Sequence, residues 1–213
     1  MYTTTFIRRH IFRLPVGRLF TSREFLLYGT RAAVDQALSR LVRKGLIVRL
    51  ARGVFIRQDS DVRRISPIDV ARAKAESFGK QLAVWGGHLA SKLGLVAEGP
   101  PEQIFSINGS SSSFKFGKIT VYLRKVCARK MRLSTSQAGV VLSSLWHLGR
   151  AQVSHGQVRL ATRKCLRPDL EEIRLSLVWL PAWLSAHFLA RTIPYAAFKN
   201  FPCQLSAEAP ASA

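Results

Sequence analysis

Residues 29–55 read Gly29-Thr30-Arg31-Ala32-Ala33-Val34-Asp35-Gln36-Ala37-Leu38-Ser39-Arg40-Leu41-Val42-Arg43-Lys44-Gly45-Leu46-Ile47-Val48-Arg49-Leu50-Ala51-Arg52-Gly53-Val54-Phe55. Their order decides the fold of the first part of the chain. Val34, Ala37, Leu38, Leu41 and Val42 stand at i, i+3, i+4, i+7 and i+8, which is one apolar stripe of a helix running from Arg31 to Lys44. Thr30 offers the N-cap and Gly45 ends the helix. Beyond Gly45, the runs Leu46 to Leu50 and Val54 to Arg57 are β-rich and joined by the tight turn Ala51-Arg52-Gly53, a hairpin.

Toward the N-terminus, Thr5 to Phe12 predicts a first helix with Phe6, Ile7 and Ile11 inward. It is stopped at Leu14-Pro15-Val16-Gly17, because proline disfavours helix in the residue before it. After the extended Arg18-Leu19-Phe20, the stretch Thr21-Ser22-Arg23-Glu24 matches a capping box and opens a short second helix, with Gly29 as its left-handed end. Three helices and a hairpin make a winged helix-turn-helix over residues 1–58. Arg31, Gln36, Ser39, Arg40 and Arg43 fall on the polar side of the third helix, with Lys44 at its end and Arg49 and Arg52 on the wing. Donors on a helix face suit base edges and phosphates, and a basic wing suits the flanking backbone, so double-stranded DNA is the expected partner.

The charge agrees. Of 213 residues, 33 are Lys or Arg and 12 are Asp or Glu, a formal net charge of +21, while 47% are hydrophobic. That apolar fraction belongs to a folded chain, so the charge sits on a folded surface and favours a polyanion. Residues 1–65 carry net +10, residues 66–124 net +3, residues 125–168 net +9 with no acidic side chain, and residues 169–213 net −1. The most apolar stretch, Ser176 to Ala190, contains Pro181 and His187 and is shorter than the ~20 residues of a spanning helix. It is also poor in Lys and Arg, unlike a basic membrane-surface helix. No membrane partner is expected; the N-terminal residues lack an apolar secretory core, and the odd cysteines Cys127, Cys165 and Cys203 suit the reducing cytoplasm.

After a linker at 58–65, residues 66–204 read as a second, α+β part ending in helices, and 205–213 as a disordered tail. Ser66-Pro67 with Asp69 starts a helix to about Phe78, with Ile68, Ala71, Ala75 and Phe78 along one side. Gln81 to Val84 is a strand and Gly87 to Leu93 a helix; Gln103 to Ile107, Phe114 to Phe116 and Ile119 to Arg124 are strands. The run Asn108 to Ser113 lacks the Gly-Lys-Ser/Thr ending of a phosphate loop and precedes a strand, so a hairpin loop is expected there. Ser136 to Leu148 and the stretches from Pro168 and Pro181 are helical, burying Trp179, Trp183 and Phe188. Lys125, Arg129, Lys130 and Arg132 are candidates for a second basic face.

Catalytic signals are absent from the pattern. The five histidines have no metal-ligand spacing, and the acidic pairs Glu98/Glu102 and Glu171/Glu172 lie in a loop and at a helix start. No catalytic residue, metal or cofactor is assigned, and a non-enzymatic role is expected. A nucleic-acid-processing enzyme or an RNA-binding accessory protein that docks through the winged helix is the alternative.

The stretch 29–41, the stretch Lys44 to Phe55, Gly87-His88-Leu89-Ala90-Ser91-Lys92-Leu93-Gly94-Leu95, the turn Gly99-Pro100-Pro101 and Pro181-Ala182-Trp183 resemble the AbiEi-type antitoxins and transcriptional regulators of type IV toxin–antitoxin systems. The likeness spans roughly residues 4–190. It implies a repressor of its own operon whose second part counters a nucleotidyltransferase-type toxin, directly or indirectly. The serine run at 110–113 departs from the family, where basic residues are more usual, so a phosphate contact there is not implied.

Overall fold

The computed structural model describes residues 2–133 and 135–189. Cys203 and the expected tail lie outside the described residues. The chain is α+β: helices with a small antiparallel sheet, then a mixed four-stranded sheet, then helices.

The first helix, α1 (Tyr2–Arg13), leads to β1 (Phe20–Thr21), a 3₁₀ segment (Ser22–Tyr28), α2 (Arg31–Arg43), β2 (Ile47–Ala51) and β3 (Val54–Arg57). The three strands are antiparallel in the order β1-β3-β2, with Phe20 opposite Phe55 and Val48 opposite Ile56. Gly53, at φ +80°, turns the wing in the left-handed region that favours glycine. Ile7 and Ile11 of α1, Val34, Ala37, Leu38 and Leu41 of α2, and Phe20, Phe25, Ile47 and Phe55 form one buried cluster. Phe20 meets Phe25 edge-on at 5.7 Å and stacks near Phe55 at 6.1 Å. Phe6 does not join this core and is 51% exposed. Ile7, Ile11 and Leu14 occupy the inward stripe, and Phe6, one helical step away, lies against Tyr28 instead.

The other face of the hairpin is equally buried. Leu50, Val54 and Ile56 join a second cluster with Val70, Ala71 and Ala75 of α3 (Pro67–Glu76). Also in it are Phe105 and Ile107 of β5 (Gln103–Ile107), Phe114 of β6 (Ser112–Phe116), and Val121 and Leu123 of β7 (Ile119–Lys125). The wing hairpin is therefore a wall shared by two cores, and Val62 and Ile65 of the 58–65 stretch pack on the same cluster. Helix α3 begins with Ser66 as N-cap and Pro67 and Asp69 in its first turn, as its sequence predicts, and Asp69 also reaches back to Ser66 N to close a capping box. It ends at Glu76, so Phe78 lies past it and is 56% exposed, with the Arg23 guanidinium 4.5 Å over its ring.

The second sheet runs β4 (Leu82–Val84)-β5-β7-β6. Strands β5 and β7 are parallel, and the hairpin is β6–β7 around Gly117 (φ +57°). The run Asn108–Ser113 is thus not a hairpin loop: it carries the chain from β5 past β7 to the sheet edge, and Ser112 and Ser113 already belong to β6. Its polar groups close the sheet: Asn108 Oδ1 accepts from Gln81 N at 2.9 Å, and Ser111 Oγ accepts from Lys125 N at 2.9 Å.

Helix α4 (Gly86–Lys92) and, after the short α5 (Ala128–Met131), helices α6 (Gln137–Leu148), α7 (His155–Thr162), α8 (Arg167–Ser176) and α9 (Ala182–Leu189) build a third cluster around Val141, Leu142, Leu145, Ile173, Leu184 and Phe188. Trp179 stays 39% exposed, because it sits in a 3₁₀ turn after α8, and Trp183 is only partly buried. No helix among the described residues is long and apolar enough to cross a membrane.

Helices α4 and α6 cross closely at Gly86, where an added Cβ would stand 2.6 Å from His147 Cβ and 2.8 Å from the Ser143 carbonyl oxygen. Neither neighbour is the far end of a flexible chain, so Gly86→Ala should destabilise the protein by about 1–3 kcal/mol in urea titration. Burial lowers the His147 pKa from its ordinary 6.5, with Lys130 and His88 adding to the effect. The unfolded chain then binds a proton that the folded chain does not, so stability holds above pH 6.5 and declines as pH falls below it. His147→Gln should flatten that acid-side slope in urea midpoints taken at about pH 7.5 and about pH 5.5.

Candidate nucleic-acid interface

Helix α2 is held rigidly at both ends. At its start, Thr30 Oγ1 accepts from Ala33 N at 3.3 Å, while Thr21 N–H, donating to Glu24 Oε1 at 2.7 Å, caps the head of the preceding 3₁₀ segment. Gly29 between them is extended (φ 160°), not left-handed as its sequence suggests. A Cβ there would lie 3.2 Å from both Thr3 Oγ1 and Thr3 Cγ2 on α1, so a larger residue would need Thr3 to give by a few tenths of an ångström. At the other end, Gly45 N–H donates to the Val42 carbonyl at 2.9 Å and Leu46 N–H to the Leu41 carbonyl at 3.1 Å, with Gly45 at φ +67°. These two bonds make a Schellman motif and fix where the wing departs.

The predicted polar residues are all exposed, and the structure sorts them into two groups. Arg31 Nε donates to Asp35 Oδ2 at 2.9 Å, and Ser39 Oγ donates to the Asp35 carbonyl at 2.8 Å, so these two are engaged within the helix. Gln36, Arg40, Arg43 and Lys44 form a row at helical spacing on the same face, and among the described residues no carboxylate pairs with its three cations. Arg49 on β2 and Arg52 at the wing turn are exposed and likewise unpaired. Arg57, by contrast, is structural: it pairs with Asp59 and donates to the Leu14 carbonyl at 3.0 Å.

The wing turn is pinned from both sides. Ser22 N–H donates to the Gly53 carbonyl at 3.2 Å, and Lys74 Nζ of α3 donates to the Arg52 carbonyl at 3.2 Å. Lys74 is half-buried, its ammonium 5.7 Å from the Phe114 ring centre; burial, then the Arg52 charge, lower its pKa. Two cations side by side at a wing tip without a carboxylate partner are a ready contact for one phosphate. Sequence reading missed Lys74, because only the docking of α3 on the hairpin brings it beside Arg52.

The four residues of the expected second basic face do not behave alike. Lys125 and Arg129 are exposed. Lys130 Nζ lies 5.2 Å from the Trp146 ring centre, with a pKa lowered chiefly by burial, and the Arg132 guanidinium lies 4.3 Å over Trp179. Half of that charge therefore also covers indole rings. The acidic residues stay apart: Glu171 pairs with Arg174, and Glu172 accepts from Ser136 Oγ at 2.8 Å. Among the described residues no three His, Cys, Asp or Glu side chains group as a metal site would.

The fold and its exposed, unpaired cations define a basic winged-helix protein joined to an α+β body. The chain belongs to DUF6088, a family of unknown function, which matches residues 6–172, from within α1 into α8. No curated protein and no solved structure matches it.

Thr30→Ala removes the side-chain cap at the start of α2 while touching none of the row at 36–44. It should cost about 1 kcal/mol of stability in urea unfolding.

Proposed function

We propose that the protein is a sequence-specific double-stranded DNA-binding repressor, acting in the cytoplasm as the antitoxin of a type IV toxin–antitoxin system. It binds its own operator and counters a nucleotidyltransferase-type toxin. The observation that carries the DNA reading is the unpaired row Gln36, Arg40, Arg43 and Lys44 on a helix capped at both ends, beside the pinned wing with Arg49, Arg52 and Lys74. Unpaired cations on an ordered helix need neither break an ion pair nor order the backbone to meet a duplex, which lowers the cost of binding. Arg40 and Arg43 are the candidates for guanine edges, since a guanidinium can donate two hydrogen bonds to guanine O6 and N7. Arg49, Arg52 and Lys74 fit the backbone, which positions the helix. The antitoxin part rests on the likeness of residues 29–55, 87–95 and 181–183 to AbiEi-type proteins. It assigns the chain a binding role without a cofactor.

Footprinting on the DNA upstream of the protein's own reading frame tests this. With about six phosphate contacts, log affinity should fall against log salt with a slope near −5. Arg40→Ala and Arg43→Ala should each cost about 1–3 kcal/mol and relax sequence preference, whereas Lys74→Ala should weaken binding evenly across sequences and flatten the salt slope by about 1. A footprint unchanged in the Arg40→Ala, Arg43→Ala double variant would overturn the assignment of α2.

A further inference from the structure

A cavity of 240 Å³ opens between β4, β5, α4, α5 and α6, in the body of the protein and away from the α2 row. Two lysines, Lys92 and Lys130, the His147 imidazole and three hydroxyls, Ser106, Thr135 and Ser143, line it, and no carboxylate does. Leu89, Met131 and Val140 supply an apolar floor, and Trp85 stands at one side with His147 edge-on, ring centres 5.2 Å apart.

Ser106 is the telling residue. It is only 7% exposed, yet its hydroxyl makes no hydrogen bond to the described residues. No buried side-chain polar atom among them is sealed away without a partner, so this hydroxyl faces the open space of the cavity. A buried hydroxyl normally has a partner, and one that finds none in the protein is left to meet water or a ligand in the cavity. Lys130 adds the same signal with charge: its ammonium is half-buried over Trp146 and meets no carboxylate among the described residues. Gly87 matters for the shape, since a Cβ there would stand 2.9 Å from His147 Nε2 and push the imidazole off the cavity wall.

We propose that this cavity binds a small phosphate monoester, its phosphate held by Lys92, Lys130 and the Ser106, Thr135 and Ser143 hydroxyls and its organic part set on the Leu89 and Met131 floor. Several donors with no carboxylate suit a tetrahedral dianion better than a carboxylate, which offers two oxygens. The apolar floor favours an ester over the free ion. The volume lies below the ~300 Å³ at which ordinary ligand pockets begin, so the organic part is one ring or a short chain, not a dinucleotide.

Calorimetric titration of the full chain with phenyl phosphate, inorganic phosphate and benzoate tests the assignment. Phenyl phosphate should bind at a single saturable site, about ten-fold more tightly than either of the others. Lys92→Ala, at an exposed position that leaves the core intact, should weaken phenyl phosphate about five-fold or more, and Lys130→Ala and Ser106→Val about ten-fold. Lys118→Ala, at the β6–β7 turn, should change nothing. Absence of saturable binding up to about 10 mM overturns the proposal. So does equal affinity for inorganic phosphate or for benzoate, wild-type affinity in both lysine variants, or an equal loss in Lys118→Ala, which would mark diffuse attraction to a surface of net charge +21.

Discussion

Burial of the β2–β3 hairpin on both faces is the constraint on which the rest of the structure depends. Phe55 faces α1 and α2, while Val54 and Ile56 on either side of it face α3 and the second sheet. A strand alternates its side chains, so three consecutive buried residues require a partner on each side. The hairpin thereby transmits position: α2 is set against one face, α3 and the β5-β7-β6 strands against the other. A wing usually projects freely; here its turn is tied to the 3₁₀ segment through Gly53 and to α3 through Lys74. The cations of the helix and the wing are thus carried on one unit, and their spacing is set by packed apolar side chains.

That arrangement bears on how the charge is used. Coulomb attraction to a polyanion falls off over about 8–10 Å in physiological salt, so only cations on one surface act together. Within the row on α2, and within the pair at the wing tip, neighbouring cations meet this condition without carboxylates to neutralise them. Arg31 and Arg57 do not, because Asp35 and Asp59 hold them. The net +10 of residues 1–65 already discounts such pairs: of 14 Lys and Arg, Arg18, Arg31, Arg57 and Arg64 each sit with one of the four carboxylates, which leaves ten without one.

Much of the first part was legible because its signals are local. The stripe from Val34 to Val42, the Thr21/Glu24 box, the Ser66 cap with Pro67 and Asp69 behind it, and the Gly45 and Gly53 turns depend on neighbours a few residues away. The failures concern positions decided at longer range. Phe6 lies outside the stripe that Ile7 and Ile11 keep, and Gly29 is crowded by Thr3 of another helix. The parallel β5–β7 pairing joins strands separated by β6, which no turn motif between them encodes. At the candidate site, the exposed row on α2 was readable from periodicity. Lys74 comes beside Arg52, and Ser106 and Lys130 come to line one cavity, only when helices dock on sheets.

Two cations lie over aromatic rings that solvent reaches: Arg23 over Phe78 and Arg132 over Trp179. Each guanidinium covers an apolar face that would otherwise offer a sticking point to another molecule, while its charge adds to the mutual repulsion of copies. The same residues thus set the colloidal behaviour of the protein in two ways that respond differently to electrolyte. Repulsion between molecules is long-ranged and screened first, whereas a stacked guanidinium at about 4–5 Å is screened little. The rings stay covered after the repulsion has gone, so concentrated salt removes the barrier to encounter without uncovering these aromatic faces.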